Sequence, residues 1–538
     1  MLHENLLLIL GLLFAVFLLV MLGQRLHISY PIFLVLGGLG LSFVPGLPRI
    51  AIEPNLIFLI FLPPLLYEAA WNTSWHEFWR WRRAILLLAF GLVAFTSVIV
   101  AYASRAMIPG FTLALGFLLG GIISPPDAVA ASSVLKGMKI PKRITTVLGG
   151  ESLINDASSL IVFRFALAAV LSGTFVWQQA VISFLVVSSM GLVVGLAVAY
   201  LFFLIHKYLP TTPSINTALT FMAPYVMYLV AEQFHFSGVL AVVSGGLLLS
   251  FLSHTVSVFD ATTRLQSTSV WVSVSFVLNG LVFILIGLQL PIAVEGLGAY
   301  SLQEAIGYGL GMSGIVILIR LLWMYPAAFL PRWFSRRIRA REASPGWQGP
   351  LVLGWAGMRG VVSLASALSV PLLANGQAFP QRNLILFITF VVILVTLVFQ
   401  GLTLPLVIRF TKIATFDDQV PPEEQEAGVR VRLRQAAVAH LKEQYPAETA
   451  NNELISRLHE RLENELQLTT NTLNALEWND ETKRAALHQY HRVLLDVLRV
   501  QREELFEMRR HNAFEDEVLR QQEAQLDLDE EKVRHIED

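Results

Sequence analysis

Apolar runs of roughly twenty residues follow one another from Leu6 to near residue 410, broken by short polar segments. A helix needs about 17–25 apolar residues to cross a bilayer core, so this pattern predicts an all-α polytopic membrane protein. Thirteen spans are expected, at 5–22, 30–45, 53–70, 84–104, 111–134, 147–171, 181–205, 215–233, 237–253, 271–290, 304–326, 350–372 and 383–410. The first run lacks a basic leader and a small-residue cleavage site and reads as a span, not a signal peptide. After residue 412 the apolar positions thin out to helical spacing. Two amphipathic helices are predicted, over 427–467 and 471–525, behind an acidic, proline-containing hinge from Asp417 to Glu426. The expected division is a membrane domain, 1–412, and a helical domain, 413–538.

Composition supports that division. The chain is 55% hydrophobic and 15% charged, with a mean hydropathy of +0.60; soluble proteins are about a quarter charged. A net charge of −1 conceals +11 over residues 1–412 and −12 over residues 413–538. The absence of cysteine excludes disulfides, thiolate metal sites, iron–sulfur clusters and cysteine nucleophiles. No P-loop or dinucleotide fingerprint occurs, and nothing points to a nucleic-acid partner. With thirteen spans, fifteen Lys and Arg lie in loops on the tail's side, including Arg80, Arg82, Arg83, Lys139 and Arg336. Only Arg49, Arg105 and Arg382 lie opposite. The positive-inside rule then places the tail in the cytoplasm and the N-terminus outside. Six spans, a linker span and six more would form two halves of inverted topology.

The chemistry resides in charges buried by this pattern. Several acids fall inside predicted spans, among them Glu68, Asp127, Glu151, Asp156 and Glu232. A charge at mid-bilayer costs roughly 2.5–3.5 kcal/mol on insertion scales, so such acids must be paired, protonated or hydrated, and they mark function. In Glu151-Ser152-Leu153-Ile154-Asn155-Asp156, Ser152 and Asp156 share one helix face, and Glu151 and Asn155 form the adjacent stripe. Counted from Val147, Asp156 lies about 13–14 Å deep, near the midplane. A carboxylate there can exchange a proton for a metal cation. A capping role for Ser152 and Glu151 is the alternative, although it explains neither the depth of Asp156 nor the other acids.

Ser124-Pro125-Pro126-Asp127 removes two amide donors inside a span and predicts a broken helix. In lipid such a break is tolerated where it lines a cavity or is buried in protein; a simple proline kink is the alternative. Gly357-Met358-Arg359-Gly360 occupies the matching place in the second half. Arg359 requires an acid, and Glu151 is the expected partner, leaving Asp156 free to titrate. Arg164 and Arg320 read as snorkelling or structurally paired. Glu68, after Pro63-Pro64, is either a third site acid or an interfacial residue. Ile306-Gly307-Tyr308-Gly309 resembles part of a potassium-channel filter but lacks the preceding pore helix.

These residues together resemble the sodium/proton exchangers of the first monovalent cation:proton antiporter family. The resemblance rests on Glu151-Ser152-x-x-Asn155-Asp156, Pro126-Asp127-Ala128-Val129, Pro63-Pro64 with Glu68, Pro224-Tyr225 with Ala231-Glu232, Ser237 to Val243, Asn279-Gly280 and Arg359-Gly360. It covers nearly all of residues 1–410. It implies crossed broken helices at spans 5 and 12, a homodimer in membrane lipid, and no cofactor. Sodium, or alternatively lithium or potassium, would bind at Asp156 and Asp127, assisted by Ser152, Glu68 and backbone carbonyls from Ser124 to Pro126. A proton would compete for Asp156, Glu151 and Arg359 would form a supporting pair, and Asn155 in place of an acid would accompany electroneutral exchange. The short external loops suggest a bacterial cytoplasmic membrane. A channel using the same acids, and a membrane-anchored scaffold working through its tail, are the other readings.

Overall fold

The computed structural model describes residues 2–26, 28–44, 57–138, 140–173, 177–256, 259–298, 300–334, 346–374, 377–413, 422–477, 481–511, 518–519, 522–523 and 525–530. Two compact units emerge, residues 1–416 and 417–538. The chain is a polytopic α-helical membrane protein. Its first unit runs α1 (Leu2–Arg25), α2 (Tyr30–Ser42), α3 (Leu62–Trp71), α4 (Trp75–Met107), α5 (Leu113–Ile123), α6 (Ala128–Leu135), α7 (Lys142–Ser172), α8 (Trp177–Tyr208), α9 (Pro213–Gln233) and α10 (Gly238–Val256). It continues with α11 (Ala261–Leu288), α12 (Leu290–Glu295), α13 (Leu302–Phe334), α14 (Gln348–Trp355), α15 (Val361–Leu368) and α16 (Arg382–Thr411). A two-residue hairpin, Leu373–Ala374 with Gln377–Ala378, precedes α16.

Among the described residues ten helices are long and apolar enough to cross a membrane, and α2 and the segment Phe58–Trp71 are shorter apolar helices. The expected span at 350–372 is two half-helices, α14 and α15. Among the described residues three helices start well before their apolar runs: α4 at Trp75, α7 at Lys142 and α11 at Ala261, where the expected spans begin at 84, 147 and 271. Charged residues beside a span still form backbone hydrogen bonds, so the helix runs on through the headgroup region. The filter-like Ile306–Gly309 string lies inside α13, so its carbonyls are spent on helix hydrogen bonds. Arg49, Lys139, Arg336, Arg337, Arg339, Arg341, residues 53–56 and residues 417–421 of the hinge lie outside the described residues.

Among the described residues two large apolar cores organise the membrane unit, with a small third one of Leu88, Leu92, Val147, Ile319 and Met324. One gathers α5, α15 and α16, where every residue from Leu384 to Ile393 is buried. The other gathers α3 and α8 to α10. Helix α7 contributes to both, with Leu148 and Phe163 in the first and Leu153 and Ala157 in the second. Helix packing in lipid depends on close contact. A Cβ added at Gly38 or Gly287 would meet backbone of the facing helix, so α2 and α11 touch main chain to main chain. Apolar residues on α1 and α8, such as Leu7, Phe14, Leu185 and Leu201, point outward.

The second unit contains α17 (Pro422–Gln444), α18 (Pro446–Asn451), α19 (Glu453–Glu477) and α20 (Glu481–Arg510). The helix expected over 427–467 is divided because Pro446 has no amide to donate and opens a new helix instead. Helices α17 and α19 run antiparallel, joined by Lys442 to Glu463 at 2.7 Å and Arg434 to Glu465 at 3.5 Å. The hydrogen bond from Lys442 holds the Glu463 carboxyl below its ordinary range.

Candidate functional site

Two broken helices cross at the centre of the membrane unit. Helix α5 stops at Ile123, and α6 begins at Ala128. Between them, Pro125 and Pro126 have no amide hydrogen. Helix α14 stops at Trp355, and α15 begins at Val361. The two unwound segments are bonded to each other, with the Asp127 amide donating to the Met358 carbonyl at 2.6 Å. Four helix ends therefore meet at one point.

Those ends carry partial charges, positive at N-termini and negative at C-termini, of about half an elementary charge each. Asp127 serves the positive ends. Its carboxylate accepts from the amides of Val129 at 2.8 Å and Ala130 at 3.4 Å, and also from the Val361 amide that opens α15. Arg359 serves the negative ends. Its Nε donates to the Ile123 carbonyl at 3.0 Å and its Nη1 to the Gly357 carbonyl. The crossing thus has an acid where amides converge and a guanidinium where carbonyls converge. Gly360 permits this approach, because a Cβ there would overlap Asp127 Oδ2.

The expected pairing of Glu151 with Arg359 is not what forms. Glu151 is held bidentately by Arg320 of α13, at 2.5 and 2.9 Å, with both side chains 1% exposed. Arg320 also donates to the Leu353 carbonyl on α14 from Nε at 3.3 Å and Nη2 at 3.2 Å. A Cβ at Gly357 would collide with that guanidinium. The sequence supplied two intramembrane arginines for one acid. The unwound α14–α15 segment offered Arg359 free carbonyls, while Arg320, on an intact helix, reached the carboxylate.

On α7, Asp156 is the fifteenth of 31 residues, 8% exposed, and Asn155 is fully buried. Asn155 Nδ2 donates to the Pro126 carbonyl at 3.4 Å, and Ser152 Oγ accepts from the Ala128 amide at 3.2 Å. Two α7 side chains therefore fix the break between α5 and α6. Ser158 fixes α7 in turn by donating to the Ala89 carbonyl at 2.5 Å, within the π-helical turn Leu87–Leu92 of α4.

A cavity of about 110 Å³ adjoins this crossing, lined by Asp156, Asp127, Ser152, Pro126 and Gly360, with Asn279 and Ser363 also on its wall. Asn279 and Ser363 are site neighbours that the charge pattern could not single out. Ser124 is buried and donates to the Gly121 carbonyl at 3.4 Å. Glu68 lines a second cavity of about 150 Å³ with Tyr67, Trp71 and Trp271, and accepts from Asn72 at 2.6 Å. Glu232 is paired with Arg164 at 2.8 Å and accepts from the Gly238 amide, which gives that acid and that arginine a structural partnership. The arrangement supplies carboxylate, hydroxyl and carbonyl oxygens around a small space: a hard-cation environment that also takes a proton.

A family model described as sodium/hydrogen exchanger, transmembrane, matches residues 10–410. An uncharacterized Na(+)/H(+) exchanger of Mycobacterium tuberculosis is 33% identical over 520 residues, covering 95% of this chain and 92% of that protein. A sodium, potassium, lithium and rubidium/H(+) antiporter of Bacillus subtilis is 37% identical over 379 residues, 69% of this chain and 56% of that protein. Among solved structures, the sodium proton antiporter MjNhaP1 of Methanocaldococcus jannaschii matches with a TM-score of 0.59 at 20% identity, over 74% of this chain and 99% of that one, a likeness of fold.

Proposed function

The chain belongs to the sodium/hydrogen exchanger family, and from that premise we propose that it exchanges one monovalent cation for one proton at Asp156. It is a multi-pass membrane transporter, not an enzyme, and cation/proton exchange is its activity. Sodium is the cation in this reading, with lithium and potassium as alternatives. The cation takes oxygens from Asp156 and Asp127, with Ser152 and the Pro126 carbonyl assisting. Glu68, on the neighbouring cavity, attends its approach.

The observation that carries this reading is the charge inventory at the crossing. Three acids, Asp127, Glu151 and Asp156, meet two guanidinium groups, Arg320 and Arg359. With all five ionised the centre holds one negative charge. One proton or one monovalent cation on Asp156 brings it to zero. The two ligands therefore substitute for each other with equal charge, which supports electroneutral exchange, and an empty ionised centre pays the desolvation penalty of an uncompensated charge. Alternating access follows from movement of one group of helices against the other around this centre. Thirteen crossings in two inverted halves, a cytoplasmic tail, an outside N-terminus and a homodimer complete the proposal.

Purified protein in acid-loaded vesicles with a pH-sensitive dye tests it. Sodium, lithium and potassium are added in turn, with and without an ionophore that clamps the membrane potential. Cation-dependent alkalinisation at the same rate in both conditions is the expected result. A rate that changes with the clamp would refute one-for-one exchange, and no response to any cation would refute the transport reading. A second expectation concerns Gly360→Ala. The added methyl group displaces a carboxylate held by three amides, so exchange per folded transporter should fall to a small fraction of wild type. A wild-type rate would show that Asp127 need not sit there.

A further inference from the structure

The oxygens assigned to the cation around the α5–α6 break and on α7 are, apart from those of Asp156, already shared with N–H donors. The Asp127 carboxylate accepts from the amides of Val129, Ala130 and Val361. Ser152 Oγ accepts from the Ala128 amide at 3.2 Å, and the Pro126 carbonyl accepts from Asn155 at 3.4 Å. A hydrated cation gives up its water only where oxygens of the site replace it. A further oxygen is available on the wall of the same cavity. Asn279 of α11 lines it and is 7% exposed, and among the described residues no hydrogen bond to its amide is found. Ser363 of α15 lines the cavity as well, but its unpartnered hydroxyl is enclosed, whereas the Asn279 amide is not.

The helix fixes where this amide points. Trp271, Ser275 and Asn279 follow one another at four-residue steps and share one face of α11. Trp271 lines the neighbouring cavity of Glu68, and Ser275 is buried with an unpartnered hydroxyl, so this face is turned to the interior along its length. The adjacent Gly280 is turned to α1, where a Cβ would meet Val16. Helix α11 packs on α3 and α15, and main chain to main chain on α2. The amide is therefore carried by a firmly held helix. A buried amide without a partner costs stability, and a cation held by Asp156 in the shared cavity would complete it. We propose that Asn279 Oδ1 is a direct ligand of the transported cation and a determinant of which cation is preferred. This assignment rests on the reading of Asp156 as the exchange site. A neutral amide oxygen attracts a cation less strongly than a carboxylate does. Removing it leaves a site ruled by carboxylate charge, which favours the smallest cation, lithium.

The test is the KM for sodium, lithium and potassium, measured from pH 6 to 9 on full-length protein in vesicles. Competition with protons makes KM climb as pH falls, from a limiting value at high pH that reports cation affinity alone. Asn279→Leu keeps the branched shape of the side chain and removes its oxygen. It should raise the limiting KM for sodium about tenfold, and that for lithium clearly less. The pH at which competition sets in should not move, because Asn279 carries no proton, and kcat should stay within about twofold of wild type. Active exchange with an unchanged limiting KM would overturn the ligand assignment and leave Asp156 in place. A fall in kcat alone would make Asn279 a structural residue and overturn it as well. Equal rises for all three cations would overturn its part in selectivity. A wild type without any cation response would remove the exchange reading and this assignment together. If Asn279→Leu fails to fold, Asn279→Ala supplies the same comparison.

Discussion

Asp156→Asn is expected to abolish exchange at every pH while the protein inserts and folds normally. The substitution keeps the shape of the side chain and removes the group that proton and cation share. Asp156 is 8% exposed and shares its cavity with the Asp127 carboxylate. Among the described residues, no hydrogen bond to the Asp156 carboxylate is found. Its charge therefore contributes desolvation cost and like-charge repulsion to the empty fold. Neutralising it should leave the melting temperature unchanged or raise it, while cation-dependent alkalinisation of vesicles falls to the protein-free background. The pairing of lost transport with retained stability is the discriminating result. Transport at the wild-type rate would remove Asp156 from the mechanism, and a strongly lowered melting temperature would make it a structural acid.

The second large effect is at Arg320. Replacing it by Met leaves Glu151 buried and ionised, without the two hydrogen bonds at 2.5 and 2.9 Å. Breaking a buried ion pair from one side costs about 3–5 kcal/mol, mainly through the charge left behind. The Leu353 carbonyl also loses its donor, so α14 loses an anchor. Folded yield in detergent, read by size-exclusion chromatography, should drop sharply for Arg320→Met. It should recover substantially when Glu151→Gln is added, because the orphaned charge is gone. Recovery should stop short of wild type, since the bond to Leu353 stays broken. Combining Glu151→Gln with Arg359→Ala should show much less rescue, because the hydrogen bonds of Arg359 go to the Ile123 and Gly357 carbonyls and Glu151 is bonded to Arg320. Rescue of Arg359→Ala by Glu151→Gln, together with a harmless Arg320→Met, would restore the pairing expected from sequence.

The error over Glu151 shows where sequence reading stops. An acid and an arginine at similar predicted depth are compatible partners, and depth along a helix is what a sequence supplies. It does not supply azimuth or identify the neighbouring helix. Arg320 and Arg359 are both buried to 1% exposure, and both had to be satisfied. The choice between them turned on which had local carbonyls available. That depended on the unwinding of 356–360, which the glycines permitted but did not require. Likewise Asn155 and Ser152 were legible as polar neighbours of Asp156. Their task of fixing the Pro126 carbonyl and the Ala128 amide follows only from α7 packing against the break.

The sequence by itself determined the membrane class, the approximate positions of the helices, the break at Pro125-Pro126 and the acids whose burial demands a purpose. Those features follow from local chemistry: hydrophobic length, missing amides, and the cost of a charge in a medium of low polarity. Tertiary structure alone decided how the four half-helix ends meet, why one carboxylate and one guanidinium are sufficient to balance them, which arginine neutralises Glu151, and that Asp156 faces a cavity and not a partner. These are relations between segments up to 236 residues apart, as from Ile123 to Arg359, and they depend on packing geometry that no local pattern encodes.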